Sequence, residues 1–511
     1  MRFRFFLFSL ASAALMSAAT PANAAQSEAA NLPLPALVER LTWGITPAEL
    51  DRARKLGANA YIEAQLHPEP DASLPADVQR RIDAMSISRQ PAEAALVEAT
   101  RTQLAIRQLA DEAKKAQARK AARKQMMLRA AESSQRFTWR ALYSPNQLQE
   151  KMTWFWLNHF SVYKGKGSVA IALDDYEAGT IRPRALGKFR DLLEATMRAP
   201  AMMMYLDNQY NRAGHINENY ARELMELHTL GVNGGYTQKD VQELARVLTG
   251  LQVDRGTKLP RMKPSLKDQV VREGGFRFNP AYHDYGEKNL LGHRIKGAGL
   301  AEIDQVADLL ARQPATARHI SFKLAQYFVA DQPPQALVDE MARTFQESDG
   351  DIAKTLRTMF DSPAFADSLA KGKFKDPAHY VYSTLRLAYS EMPPVARADL
   401  VDGWLSRMGQ PVFGRLTPDG YPMTQSDWSG SGQMTTRFDF ARQVTFVPQS
   451  FYRSDGNPKP ELPSLPRLAA VYKEQNLYNA LAPATREAIE HAKTVKDANL
   501  YLLASPDFMH R

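Results

Sequence analysis

The chain has 511 residues, no cysteine, 44% hydrophobic and 24% charged residues, and a formal net charge of +9. That composition belongs to a folded protein with ample length for a large core. The missing cysteine excludes disulfide scaffolds, Cys-ligated zinc, iron–sulfur clusters and thiol catalysis together, while the basic balance alone does not choose between nucleic acid, an anionic membrane and no anionic partner at all.

Arg2 and Arg4 open the chain, Phe5 to Met16 is apolar apart from small serines, and Ala22-Asn23-Ala24 is a small-x-small cleavage site. This is the layout of a secretory signal peptide cut after Ala24. Its removal takes away two arginines and no acid, which lowers the charge from +9 to +7. The apolar stretch is short for a spanning helix, and no later run approaches the roughly 18 uncharged residues a span needs. The expectation is a soluble bacterial protein of the periplasm or the medium, not membrane-spanning and with no nucleic acid as partner.

The remainder reads as helices. Thr46-Pro47-Ala48-Glu49 combines an N-cap, a first-turn proline and an acid able to reach back to the cap, and Gly57 is a stop. Residues 92–143 have few breakers and predict one long helix or a helical hairpin. Within them Lys114, Lys115, Arg119, Lys120, Arg123, Lys124 and Arg129 occur with no acid between Ala113 and Ala131. A solvated face explains such a run, and contact with an anionic envelope surface or polymer is the functional alternative. Thr237-Gln238-Lys239-Asp240 predicts a second capping box, opening a helix with Val241, Leu244, Ala245 and Leu248 on one face and closing at Gly250. Residues 301–330, 335–347 and 351–361 repeat the helical pattern. A small hairpin is expected between Gly274 and Leu291, and residues 409–428 are expected as an ordered loop. The predicted architecture is mainly α: one large multi-helix domain from residue 25 to 511, with a small β-hairpin element and long ordered loops.

No G-x-S-x-G, H-E-x-x-H, phosphate-binding loop or dinucleotide fingerprint occurs, so no organic cofactor is implied. The chemistry candidates lie between residues 150 and 290. On a helical wheel of 217–228, Glu218, Asn219, Arg222, Glu223 and Glu226 share one arc. They form either a salt-bridge ladder or a pocket wall in which arginine keeps some carboxylates ionised and burial raises another toward acid–base use. His228 falls on the apolar side, where it reads as a hydrogen-bonded core histidine. In residues 148–163 a helix that is apolar on most sides carries His159 among aromatics, as a core residue or as a catalytic or metal-binding imidazole. Asp207, in Leu206-Asp207-Asn208-Gln209, and His283-Asp284 sit in turn-forming segments. His159 and His283 with Asp207, Glu218, Glu223 or Glu226 would supply N/O ligands for a divalent metal, although no spacing demands one.

Several of these segments together resemble the bacterial family known as domain of unknown function 1800 (DUF1800). The resemblance runs in order through Leu41-Thr42-Trp43-Gly44, Phe155-Trp156-Leu157-Asn158-His159-Phe160, Tyr205-Leu206-Asp207-Asn208, the long run Asn217 to Gly231, His283-Asp284, Pro314-Ala315-Thr316-Ala317-Arg318, and Gly409-Gln410-Pro411 with Pro418-Asp419-Gly420-Tyr421-Pro422 and Trp428. It implies an exported protein and supplies no established reaction. It also implies an exported partner resembling the alkaline phosphatase and sulfatase fold, because such a family is often encoded alongside.

Two functions follow as expectations. One is an extracytoplasmic enzyme, a hydrolase or other acid–base catalyst, with or without a metal, in which Glu223 or Glu226 is base or ligand, Arg222 orients a carboxylate or anion, and His159 and His283 carry protons. The other is a non-catalytic envelope binding or assembly protein whose same residues fix the helical core.

Overall fold

The computed structural model describes residues 32–70, 72–453, 460–462 and 464–511, so the predicted signal peptide lies outside the described residues. Helix takes up 62% of the chain and strand 4%.

Local signals set most helix ends. Thr46 Oγ1 accepts the Glu49 amide at 3.1 Å, Pro47 sits in the first turn, and Gly57 at φ +77° ends the helix Pro47–Leu56. Glu49 does not reach back to the cap as its spacing suggested. Its carboxylate accepts from Tyr61 Oη at 2.7 Å, a buried donor that competes better than a solvent-exposed amide. At Thr237 both halves of the capping box form, with distances of 2.8 and 3.2 Å. The segment 92–143 is a hairpin of Ala92–Gln108 and Glu112–Tyr143. The second helix starts where Asp111 accepts the amides of Ala113 and Lys114. The stretch 301–330 is likewise two helices, Ala301–Ala311 and Pro314–Phe328, because the proline drives Gln313 into an extended conformation.

The β structure is richer than one hairpin. Phe276–Phe278 lies between Leu251–Val253 and Val271–Glu273 in an antiparallel sheet, with Phe276 opposite both Val253 and Glu273. A separate hairpin pairs Lys288–Leu290 with His293–Ile295. Tyr282 belongs to a 3₁₀ turn, Pro280–Tyr282, that leads to His283.

One continuous hydrophobic core runs from Leu32 to Met509. Two helices lie at its centre: Pro377–Ala388, buried at every position, and Gln147–His159, buried at all but Gln149 and Asn158 along its length. Trp43 packs edge-on against Tyr382 (5.0 Å) and Trp154 (6.3 Å) between them. Each fully buried large apolar side chain contributes roughly 1.5–3 kcal/mol. Among the described residues no helix is long and apolar enough to cross a membrane.

The polar side chains of the central helix fix their neighbours. Lys151 donates to the carbonyls of Arg40 (2.5 Å) and Thr42 (2.9 Å). Glu150 binds Arg182 at 2.6 Å. Next to it, the wholly buried Glu177 joins Arg136 (2.8 Å) and Arg140 (2.9 Å), tying the basic hairpin's long helix to the core. Burial pushes the Glu177 carboxyl up, but the three arginines around it prevail and hold it below the usual range. Removing one partner of such a cluster strands the others, so Glu177→Ala should cost about 3–5 kcal/mol in urea unfolding at pH 7. Because the folded carboxyl titrates below 4.5, its contribution in the wild type is present above that pH and fades as the pH falls further.

Candidate functional site

The end of the helix Gln147–His159 carries two site-forming side chains. Asn158 holds the 409–428 loop by a two-way bond to the Tyr421 backbone, Nδ2 donating to the carbonyl at 3.0 Å and Oδ1 accepting the amide at 2.5 Å. Gly420 has φ +78°, and a Cβ there would come within 2.2 Å of the Asn158 carbonyl oxygen. Only glycine permits this approach. The result is that Asp419 is set at a fixed place over the core. There its carboxylate binds Arg415 at 2.7 Å and accepts from Thr417 Oγ1 at 2.5 Å.

His159, buried as expected, donates from Nε2 to the His228 carbonyl at 3.0 Å, and its Nδ1 has no partner among the described residues. His228 departs from the expected hydrogen-bonded core histidine. It is fully buried, yet neither ring nitrogen has a partner among the described residues, because the helix Glu218–Glu226 ends before it and the ring turns toward Phe160 (5.0 Å) and His159 (6.0 Å). His319 completes the group. Its ring lies 6.1 Å from that of His159, and its Nε2 donates to the Leu227 carbonyl at 3.2 Å. Burial, followed by the nearby Lys323 ammonium, pushes His228 down to about 3 and His319 to about 4, and moves His159 in the same direction. All three imidazoles are neutral at physiological pH.

Lys323 is the charge these rings share. It sits four residues after His319 on the helix Pro314–Phe328, hence on the same face. It is half-buried and makes no hydrogen bond or ion pair among the described residues. Burial pushes it down to about 8, with the Asp419 carboxylate acting in the opposite sense.

Asp419 also links Lys323 to the predicted acidic stripe. Glu223 is raised, first by burial, then by Glu226 and Asp419, against the pull of Arg222. Tyr205, whose Oη donates to the Leu416 carbonyl at 2.8 Å, is pushed up to about 12 by burial and by Glu223 and Asp419. Glu226 stands beside Tyr236 Oη at 3.5 Å. Asp207 adopts φ +60°, a conformation aspartate tolerates, and pairs with Lys166 at 2.7 Å. Asp419 thus acts on Glu223, Tyr205 and Lys323 alike, while burial raises the Glu223 carboxyl and lowers the Lys323 amine.

The rest of the predicted set is placed elsewhere. Glu218 and Arg222 pair at 3.2 Å, but Arg222 turns to Gln238 (2.9 Å) rather than to Glu226, so only half of the expected ladder forms. His283 is buried with Nδ1 at the Thr249 carbonyl (2.9 Å) and Nε2 at Glu302 (2.9 Å), while Lys288 binds the other Glu302 oxygen at 2.6 Å. Asp284 is held by Arg246 at 2.8 Å and accepts the Gly286 amide. Among the described residues none is a hydrogen-bond or ring partner of both His159 and His283. The ring nitrogens of His283 are committed to scaffolding, and no group of three or more His, Asp or Glu among the described residues is placed to hold a metal ion.

His319, Lys323 and Asp419 escaped the sequence reading as site residues. The i,i+4 pair His319–Lys323 was the available signal. Asp419 had none beyond its place in a Pro-Asp-Gly turn.

A family profile described as a protein of unknown function, DUF1800, matches residues 36–510, and the chain belongs to that family. No curated protein and no solved structure matches it.

Gly420→Ala should therefore release Asp419 by forcing the loop off Asn158. The expected outcome is a stability loss of at least about 2 kcal/mol together with faster amide exchange across residues 411–428. Exchange around His283 and Glu302 should be unchanged.

Proposed function

We propose that this protein is an exported acid–base enzyme, most simply a hydrolase, in which Glu223 and Lys323 exchange protons with substrate and Asp419 sets the charge between them. The observation that carries this reading is the Lys323 ammonium. It is half-buried and makes no hydrogen bond or ion pair among the described residues, beside histidines that burial keeps neutral. An ammonium in that position costs stability, and proteins keep such costs mainly where reactivity needs them. Glu226, Tyr205 and Tyr236 shape the same surface, and Arg222 keeps part of the acidic stripe ionised. His159 and His228 support Lys323 from beneath rather than touching substrate. Export through the N-terminal signal peptide puts the reaction in the periplasm or the medium, where an exported partner of the phosphatase and sulfatase type would share the substrate.

Lys323→Met and Glu223→Gln should each reproduce the envelope or secreted-product phenotype of a gene deletion, lowering turnover by about 100-fold or more, while the protein is made and exported normally. Full complementation by both variants would instead favour a non-catalytic binding or assembly role. Lys323→Met should also stabilise the fold at pH 7 by roughly 1–3 kcal/mol. The folded amine titrates near 8, below its unfolded value of 10.5, so the unfolded chain holds the proton more tightly. The wild type should therefore gain stability from this group as the pH rises from 8 to 10.5, closing the gap to the variant.

A further inference from the structure

We propose that the cleft between the basic helix and the loops 163–167 and 411–414 is the binding groove of a linear anionic polysaccharide, which is the substrate class of the Glu223–Lys323 site; this rests on the acid–base reading above.

The cleft has a volume of about 620 Å³, with Arg123 and Met127 on one wall and Lys164, Gly165, Pro411 and Gly414 on the other. Arg119 and Lys120 lie one turn before Arg123 on the same helix face, and all three are exposed. None of them has an ion-pair partner among the described residues. This separates them from Arg129, farther along the helix, which is buried against Asp174 at 3.1 Å. The cationic run therefore divides: Arg129 at its inner end and Lys115, paired with Glu112 at 2.6 Å, are engaged, whereas Arg119, Lys120 and Arg123 have no ion-pair partner among the described residues. Tyr163 folds against Gly165, where a Cβ would meet the ring at 2.5 Å, and so offers the cleft an aromatic side chain, a surface suited to a sugar ring.

The same two loops continue into the candidate site. Beyond Lys164, Lys166 donates to the Tyr205 carbonyl and to Asp207. Beyond Gly414, the chain reaches Leu416, bound by Tyr205, and then Asp419. A polymer bound in the cleft would extend along these shared loops to reach Glu223 and Lys323. A membrane surface fits less well. A helix lying on a bilayer needs a segregated apolar face, whereas here Lys114 and Arg123 project about 180° apart at the helical step of roughly 100° per residue, and both are exposed.

The test uses the full mature chain with polygalacturonate as the anionic probe, dextran as the neutral one and phosphatidylglycerol vesicles as the lipid. The wild type should bind polygalacturonate and ignore dextran, more weakly as salt rises from about 0.05 to about 0.3 M. Arg119→Glu with Arg123→Glu should weaken binding at least about tenfold. Arg107→Glu with Lys114→Glu makes the same change in net charge away from the cleft and should change binding less than about threefold. Equal losses in the two double variants, no loss in the first, or binding to vesicles but not to the polymer would overturn the proposal. The two readings fail separately: the groove is judged by direct polymer binding in the wild type and the Arg119/Arg123 double variant, whereas the acid–base reading is judged by turnover in Lys323→Met and Glu223→Gln.

Discussion

The structure depends on one constraint: the helix Gln147–His159 is buried along nearly all of its length yet carries Gln147, Glu150, Lys151, Asn158 and His159. A buried polar group costs free energy until it is partnered, so each of these side chains recruits a distant segment. Gln147 takes the Trp43 amide, Lys151 the carbonyls of residues 40 and 42, and Glu150 takes Arg182. Asn158 takes residue 421, and His159 takes the carbonyl of His228. Segments from four parts of the chain are thereby fixed around one helix, without disulfides.

The partners at the two ends differ in character. At the beginning and middle of the helix every charged side chain finds partners: Arg182 pairs with Glu150, and two carbonyls accept from Lys151, whose ammonium burial and Arg511 nonetheless push down. At its end satisfaction stops short: His159 keeps one nitrogen free, His228 keeps both, and Lys323 beyond them is unpaired among the described residues. What sets this end of the helix apart is that imidazoles with free ring nitrogens lie next to an ammonium without an ion pair among the described residues.

Much of this could be read from sequence where local chemistry decided it. Thr46, Gly57, Thr237 and Asp240 set helix ends by bonds within a few residues, and the apolar pattern of 147–159 announced a central helix. The acidic stripe of 218–226 was visible on a wheel, but its division was not. Whether Arg222 turns to Glu226 or to Gln238 depends on how the helix Gln238–Val247 packs, which no spacing encodes. His283 and His159 looked alike as isolated histidines and separated only when Glu302 and His228 took their places in space. Lys323 stayed hidden because a lone lysine on a helix is usually solvated, and only the three-dimensional neighbourhood covers part of it.

The most direct measurement is the titration of the Lys323 side chain itself, followed by NMR on protein with labelled lysine and assigned by comparison with Lys323→Met. A midpoint near 8 is expected if burial beside the three neutral histidines governs the amine. A midpoint at the ordinary 10.5 would mean that the amine is solvated, and it would remove the physical basis for acid–base chemistry at this site.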